Sequence, residues 1–269
     1  MLVSIAEAGP WVRAPGAWYT KVAVNRFRAG EYVVPGAAEA PAGPSYQATT
    51  ASVYSELGLA PGLQLVVDAP WSWATNQFDG STLVYRADGP GSLRAGLGYG
   101  STRAPVSAHV LARVPLFANG APETFAPALG EEQVDVDVVL SAGASAPAGE
   151  SRLWGAADVG GRVRTGLVLA SEPVVVDGGD ALTGRLQLGV SPTWHGQAFG
   201  WAFVEAAGFT GVGSARRSAT VSAGAAIPLG SGLHVELGGT VTPWAHLDAR
   251  GSGFGLGLSH QRTSNRRTR

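Results

Sequence analysis

Along most of this chain apolar residues alternate with polar or small ones at a period of two. That spacing sends successive side chains to opposite faces of a strand. The pattern is sharpest between Gln133 and Thr165, where Val134, Val136, Val138, Leu140 and Ala142 share one face and Asp135 and Asp137 the other. Beyond a Pro-Ala-Gly turn, Leu153, Val159 and Val163 oppose Asp158, Arg162 and Arg164. No segment sustains a helical period. The alternation predicts strands at 17–27, 47–59, 63–72, 92–100, 106–117, 133–145, 152–165, 182–192, 198–209, 219–229, 233–241 and 253–260, about twelve in all.

The connections sort into two kinds, strictly in turn. Short, turn-like links fall at 60–62, 101–105, 146–150, 193–197 and 230–232, whereas the links between them are mostly longer, at 28–46, 74–91, 118–132, 166–181, 210–218 and 242–252. A soluble β-sandwich has no reason to keep that parity. It is the layout of an all-β, single transmembrane antiparallel up-and-down barrel, with short periplasmic turns and longer extracellular loops. The expected location is therefore the bacterial outer membrane, with membrane lipid as one partner.

If so, the apolar face points out. That face is mostly Val, Leu and Ala, without the large aromatics a soluble core of this size would pack. Tryptophans instead stand near strand ends, at Trp11, Trp18, Trp71, Trp73, Trp194 and Trp244, where an amphipathic ring suits the membrane interface.

The charged face then lines a lumen. Arg94, Arg113, Asp135, Asp137, Asp158, Arg162, Arg164 and Arg185 form a candidate constriction in its outer half, and Lys21, Glu56, Asp68, His109, Glu205 and Glu236 are further lumen residues. A turn at 146–149 sets Asp137 opposite Asp158 and Asp135 near Gly160, which is unfavourable unless Arg113, Arg162 or Arg164 intervenes. Two readings stay open: a charged ring that filters solutes, or an ion-pair lattice that plugs a narrow barrel. Inward Gly96, Gly98, Ala156, Gly189, Gly224, Gly255 and Gly257 leave room and favour an open path along part of the wall. In 198–209, Phe199, Trp201, Phe203, Glu205 and Phe209 share a face; a lipid-facing aromatic band with a bulge is the plainer expectation, aromatics in the lumen the alternative.

Composition narrows the chemistry. With 14% charged residues and a formal net charge of −1, nothing announces a nucleic-acid partner. Cysteine is absent, and the histidines (His109, His195, His234, His246, His260) have no metal-ligand spacing. There is no Gly-x-Ser-x-Gly elbow. No catalytic residue, metal or cofactor is expected, and the chain reads as a non-enzyme. His109, near Ser107, reads as a polar lumen residue, with an outer-membrane lipid hydrolase as a remote alternative. No stretch approaches the ~18 apolar residues of a spanning helix. Residues 1–269 form one barrel domain, with 1–16 a periplasmic segment or signal remnant and 261–269 a basic tail.

The opening "GPWVRAPGAWYTKVAV", the fourth strand "GSLRAGLGYG" and the alternating sixth and seventh strands resemble the outer-membrane transporters grouped with the phenol-degradation MetA-pathway proteins. In that group a Trp-containing segment leads into a Gly-x-x-Tyr-x-Lys first strand, matched here at Gly16, Tyr19 and Lys21. The resemblance implies a barrel passing small, hydrophobic or aromatic compounds, and it carries over no functional residue. Such barrels usually end on an aromatic residue read by the barrel-assembly machinery, a partner for insertion; this chain ends in "SHQRTSNRRTR". The leading expectation is a monomeric or weakly oligomeric passive channel for a small-molecule solute. A sealed barrel serving as an anchor for other envelope components is the alternative.

Overall fold

The computed structural model describes residues 10–31, 45–78, 80–101, 103–117, 119, 126–130, 132–168, 180–194, 197–198, 200–212, 216–246 and 249–263. The strands are β1 (Trp18–Glu31), β2 (Ser45–Ala60), β3 (Leu63–Gln77), β4 (Val84–Pro90), β5 (Ser92–Gly100), β6 (Val106–Pro115) and β7 (Gln133–Ala148). They continue with β8 (Ser151–Val168), β9 (Asp180–Trp194), β10 (Gln197–Ala198), β11 (Trp201–Val212), β12 (Arg217–Gly230), β13 (Leu233–His246) and β14 (Arg250–Arg262). Sequence neighbours pair antiparallel, and β1 pairs with β14, so the sheet closes on itself. The short β4 prolongs β5 across Gly91, and β10 prolongs β11 across Gly200, where φ is 101°. The barrel wall is thus 12-stranded.

Closure explains the alternation. A barrel leaves no unpaired strand edge, so every strand can cross a medium that supplies no hydrogen bonds. Outward Leu140, Val159 and Leu186 are 56%, 62% and 53% exposed, while inward Asp135 and Glu236 are 0% and 2% exposed. This is the inverse of a water-soluble protein, and it places lipid outside.

Tight turns close one end at Pro61-Gly62, Gly149-Glu150 and Ser231-Gly232; Gly62, Gly149 and Gly232 have φ of 77°, 60° and 80°, the left-handed values such turns require. At the other end the strands overshoot. β8 runs for 18 residues, against the ~9–11 needed to cross a bilayer. Much of the predicted loop at 74–91 is therefore strand, with β3 reaching Gln77 and β4 hydrogen-bonded beside it.

Two expectations fail in register. The β7–β8 turn is centred on Gly149-Glu150, later than expected, so Asp137 stands opposite Arg162 and Asp135 opposite Arg164, while Asp158 faces Ser141 on β7 and Arg185 on β9. The anticipated Asp137–Asp158 repulsion does not arise. Pairing each carboxylate with a guanidinium across both ladders favours this register over the one centred on the proline. In β11, Phe203 (7% exposed) and Phe209 (9%) point inward beside Glu205, not toward lipid. A two-residue period ties these rings to Glu205, and burying that carboxylate against Gln187 and Arg185 decides the strand's orientation. Phe199 and His195 lie outside the described residues, as do residues 1–9 and 264–269.

Candidate functional site: a two-sided lumen

In the loop-side half of the lumen, one half of the wall is charged. On β3, β5, β6, β7, β8, β9 and β11, each strand offers an inward carboxylate, guanidinium or amide to the next. Asp68 and Arg94 are cross-strand partners, 3.9 Å apart. Asp137 sits at the centre, with the guanidiniums of Arg162, Arg113 and Arg94 at 2.8, 3.2 and 3.6 Å. Asp135 accepts from Arg164 at 2.7 Å and from the Gln133 amide at 3.2 Å, with Arg162 at 3.9 Å. Arg185 pairs with Asp158 and lies 3.9 Å from Glu205, which Gln187 also contacts. The candidate constriction residues therefore form a contiguous belt of arginines (Arg94, Arg113, Arg162, Arg164, Arg185) and carboxylates (Asp68, Asp135, Asp137, Asp158, Glu205) in equal number. Arg94 and Arg113 stand directly opposite each other, a placement that is tolerable because Asp137 bridges both.

The facing half of the wall is uncharged at this height and, apart from Phe27 and Tyr46 near the loops, small. β12 and β13 present Ser218, Thr220, Ser222, Thr240 and Thr242, with the Thr220–Thr242 and Ser222–Thr240 hydroxyls 3.3 and 3.1 Å apart. β14 presents Gly251, Gly253, Gly255 and Gly257 above Ser259, and β1 and β2 add Ala23, Asn25, Ala48 and Thr50. At this height charged side chains reach into the lumen from the β3–β11 side, while Phe27 of β1, packed on Tyr46 of β2, enters from the facing side near the loops. The open-wall expectation does not hold for all the glycines singled out: an added Cβ at Gly257 would meet the Lys21 side chain at 3.3 Å. His109, Trp154 and Phe203 lie directly opposite Gly98, Gly189 and Gly224, and their rings fill the space a Cβ would need. Those glycines seat aromatics.

Nearer the turns lies a second charged group. Glu236 accepts from the Tyr19 hydroxyl at 2.6 Å and lies 3.0 Å from Lys21, so the matched Tyr and Lys of the first strand converge on one carboxylate. Glu56 accepts from Tyr54 at 2.8 Å and from Arg13 at 2.6 Å. His109 meets the Gln64 amide at 3.2 Å. Arg13 was not anticipated, nor was the path of the segment carrying it. Residues 10–16, part of the stretch expected as a periplasmic segment or signal remnant, and Ala17 after them cross the turn-side mouth inside the barrel. Pro10 and Trp11 rest on Gly143 of β7, Val12 on Gly100 of β5, and Ala14 on Gly58 of β2; a Cβ at any of these glycines would collide with the segment. Trp11 meets Trp154 edge-on at 6.4 Å, the Arg13 amide donates to Gln64 at 2.9 Å, and its guanidinium lies 5.2 Å over Tyr19. The sequence signal was available: three inward glycines near the turn ends of their strands, beside a proline-flanked, tryptophan-bearing leader.

Among solved structures, the chain is similar to the COG4313 outer membrane channel from Pseudomonas putida F1, with a TM-score of 0.65 at 12% identity over 96% of this chain and 100% of that one. It is also similar to the β domain of the Bordetella autotransporter BrkA (TM-score 0.55, 12% identity, 92% of this chain and 100% of that one) and to the translocator domain of the autotransporter NalP from Neisseria meningitidis (0.51, 13%, 92% and 89%). The chain has the fold of an outer-membrane barrel. No protein-family model and no curated protein matches it by sequence. At these identities the likeness speaks for architecture alone, and it agrees with the closed wall and apolar exterior in locating the chain in the outer membrane.

Proposed function

We propose that this barrel is a passive channel for small solutes, which travel along the hydroxyl- and glycine-lined wall of β12, β13, β14, β1 and β2. The observation that carries this reading is the asymmetry of the lumen. In the loop-side half, arginines and carboxylates are gathered on one side and neutralise one another in ion pairs, leaving the other side uncharged and lined mostly by hydroxyls, alanines and glycines. The turn-side charges balance too, Arg13 and Lys21 against Glu56 and Glu236. Such a lumen is sharply polar locally yet close to neutral overall, so it offers little bias toward either sign of ion. It suits small uncharged or weakly polar solutes that exchange hydrogen bonds with hydroxyls as they pass. The sequence resemblance to the MetA-pathway group points to hydrophobic or aromatic compounds within that class, and the similar Pseudomonas protein is itself described as a channel. No chemical step is part of this reading.

Reconstitution in a planar bilayer tests it. Steady single-channel current, with weak ion selectivity in a salt gradient, is expected; silence after verified insertion refutes the open channel. One observation favours a sealed barrel instead, namely the segment at 10–17 seated across the turn-side mouth. Under that reading, the wild type is silent and conductance appears only when Arg13 is replaced.

A further inference from the structure

The outer surface carries a cationic patch that the lumen does not use. On β1 the lipid-facing residues Val22 and Val24 give way, on the same face, to exposed Arg26 and Arg28. Arg26 stands in a ladder row that runs from Trp73 on β3 through Thr49 on β2 to Phe254 on β14, so it lies level with two exposed aromatic rings. Outward aromatics at the end of an apolar band mark the membrane–water interface. Arg28 is one row further from the bilayer, beside Gln47 and Ser252, and the Gln47 side-chain oxygen Oε1 accepts from the Arg26 guanidinium at 3.3 Å. Exposed Arg217 and His246, directly paired on β12 and β13, lie past Trp244, with Arg217 three strands from β1 and four residues beyond Val221, the β12 residue in the Arg28 row, so they stand apart from the patch. Arg28 forms no ion pair with any described residue. Arg250 stands opposite Glu31 at the top of the ladder and takes no part, which leaves Arg26 and Arg28.

These cations sit at the loop end, which the short-turn parity assigns to the outer leaflet, at the depth of the lipid headgroups. A guanidinium there prefers a phosphate, which it can grip with two parallel N–H donors. We propose that Arg26 and Arg28 form a docking site for the phosphate groups of an outer-leaflet phosphoglycolipid. Its acyl chains lie against Val22, Val24, Leu256 and Leu258. The lipid so held is a fixed annular partner of the β14–β2 side of the barrel. Exposed Arg86 on β4 stands in the Arg28 row, across Gln47 and Thr75, but Asp88 lies two residues away on the same face and dilutes its charge.

The experiment titrates the folded, detergent-purified barrel with bisphosphorylated lipid A and with the same glycolipid stripped of phosphate, reading bound adducts by native mass spectrometry. Wild type is expected to hold the phosphorylated form preferentially. R26A/R28A is expected to bind it about thirty-fold more weakly, from about fivefold for each interfacial arginine. R103A/R152A, which removes the same formal charge from the exposed turn end, is expected to bind as wild type does. Equal binding of the dephosphorylated glycolipid, undiminished binding by R26A/R28A, or an equal loss in R103A/R152A would each overturn the proposal. Displacement by millimolar inorganic phosphate alone would also overturn it, because the site would then recognise the free anion and not the lipid. If R26A/R28A does not reach the folded, heat-modifiable form, R28Q replaces it, with a loss of about fivefold expected.

Discussion

Asp137 offers the most direct test of how the charged wall acts. Its carboxylate has three guanidiniums within 4 Å, those of Arg162, Arg113 and Arg94. Asp137→Asn keeps the shape and removes one negative charge, leaving the belt with a net positive charge beside the solute path. For an ion passing at about 5 Å in water, one charge is worth about 0.8 kcal/mol, and screening at 0.1 M salt reduces this to about 0.5 kcal/mol. Anions gain that amount and cations lose it, a difference of about 1 kcal/mol, so the anion-to-cation permeability ratio should rise about fivefold. The assay is the reversal potential of single channels in a tenfold potassium chloride gradient. Arg113→Gln is the counterpart: it removes a positive charge from the same site and should shift the ratio about as far toward cations. Shifts of the same sign in both variants, or none in either, would refute the view that this belt faces the permeation path. The stability of Asp137→Asn should also fall, by about 3 kcal/mol or more, because buried guanidiniums lose their shared partner. An unboiled-gel melting curve reports that loss separately from conductance.

Three further outcomes follow from the packing. Arg13→Ala removes the ion pair to Glu56 and the contact with Tyr19, so the leader should leave the turn-side mouth more often, visible as a larger or less noisy conductance; unchanged traces would show that the backbone bond to Gln64 and the glycine seats hold it unaided. Gly224→Leu drives a side chain into the Phe203 ring and should lower the thermal transition of the folded barrel by an amount corresponding to about 1–3 kcal/mol, whereas Gly161→Leu, whose nearest neighbouring atom is 3.8 Å from an added Cβ, should be milder. Leu140→Arg places a charge in the apolar band and should reduce folding into lipid vesicles by about 2–4 kcal/mol; equal folding yields would contradict a lipid-facing β7.

The sequence by itself determined the class of the fold and the side of the wall on which each charge lies. A period of two, repeated with alternating short and long connections, admits few arrangements, and a charged face too large to satisfy itself against lipid must turn inward. Lys21, Glu56, His109, Glu205 and Glu236 were expected on the lumen by that reasoning alone, and all five are buried on the face opposite the exposed apolar one. Tertiary structure decided what each charge faces. Register depends on where a turn is centred, and the "APAGE" stretch allowed more than one centre, so which guanidinium meets Asp137 became visible only when both ladders of β7 and β8 were formed. The aromatic strand was ambiguous for a related reason: Phe203 and Glu205 share a face, and only the glycine opposite the ring and the Gln187 amide opposite the carboxylate show that this face is inward. The leader was least legible. Its position depends on inward glycines contributed by β2, β5 and β7, and no local pattern in residues 10–17 encodes a groove assembled from three distant strands.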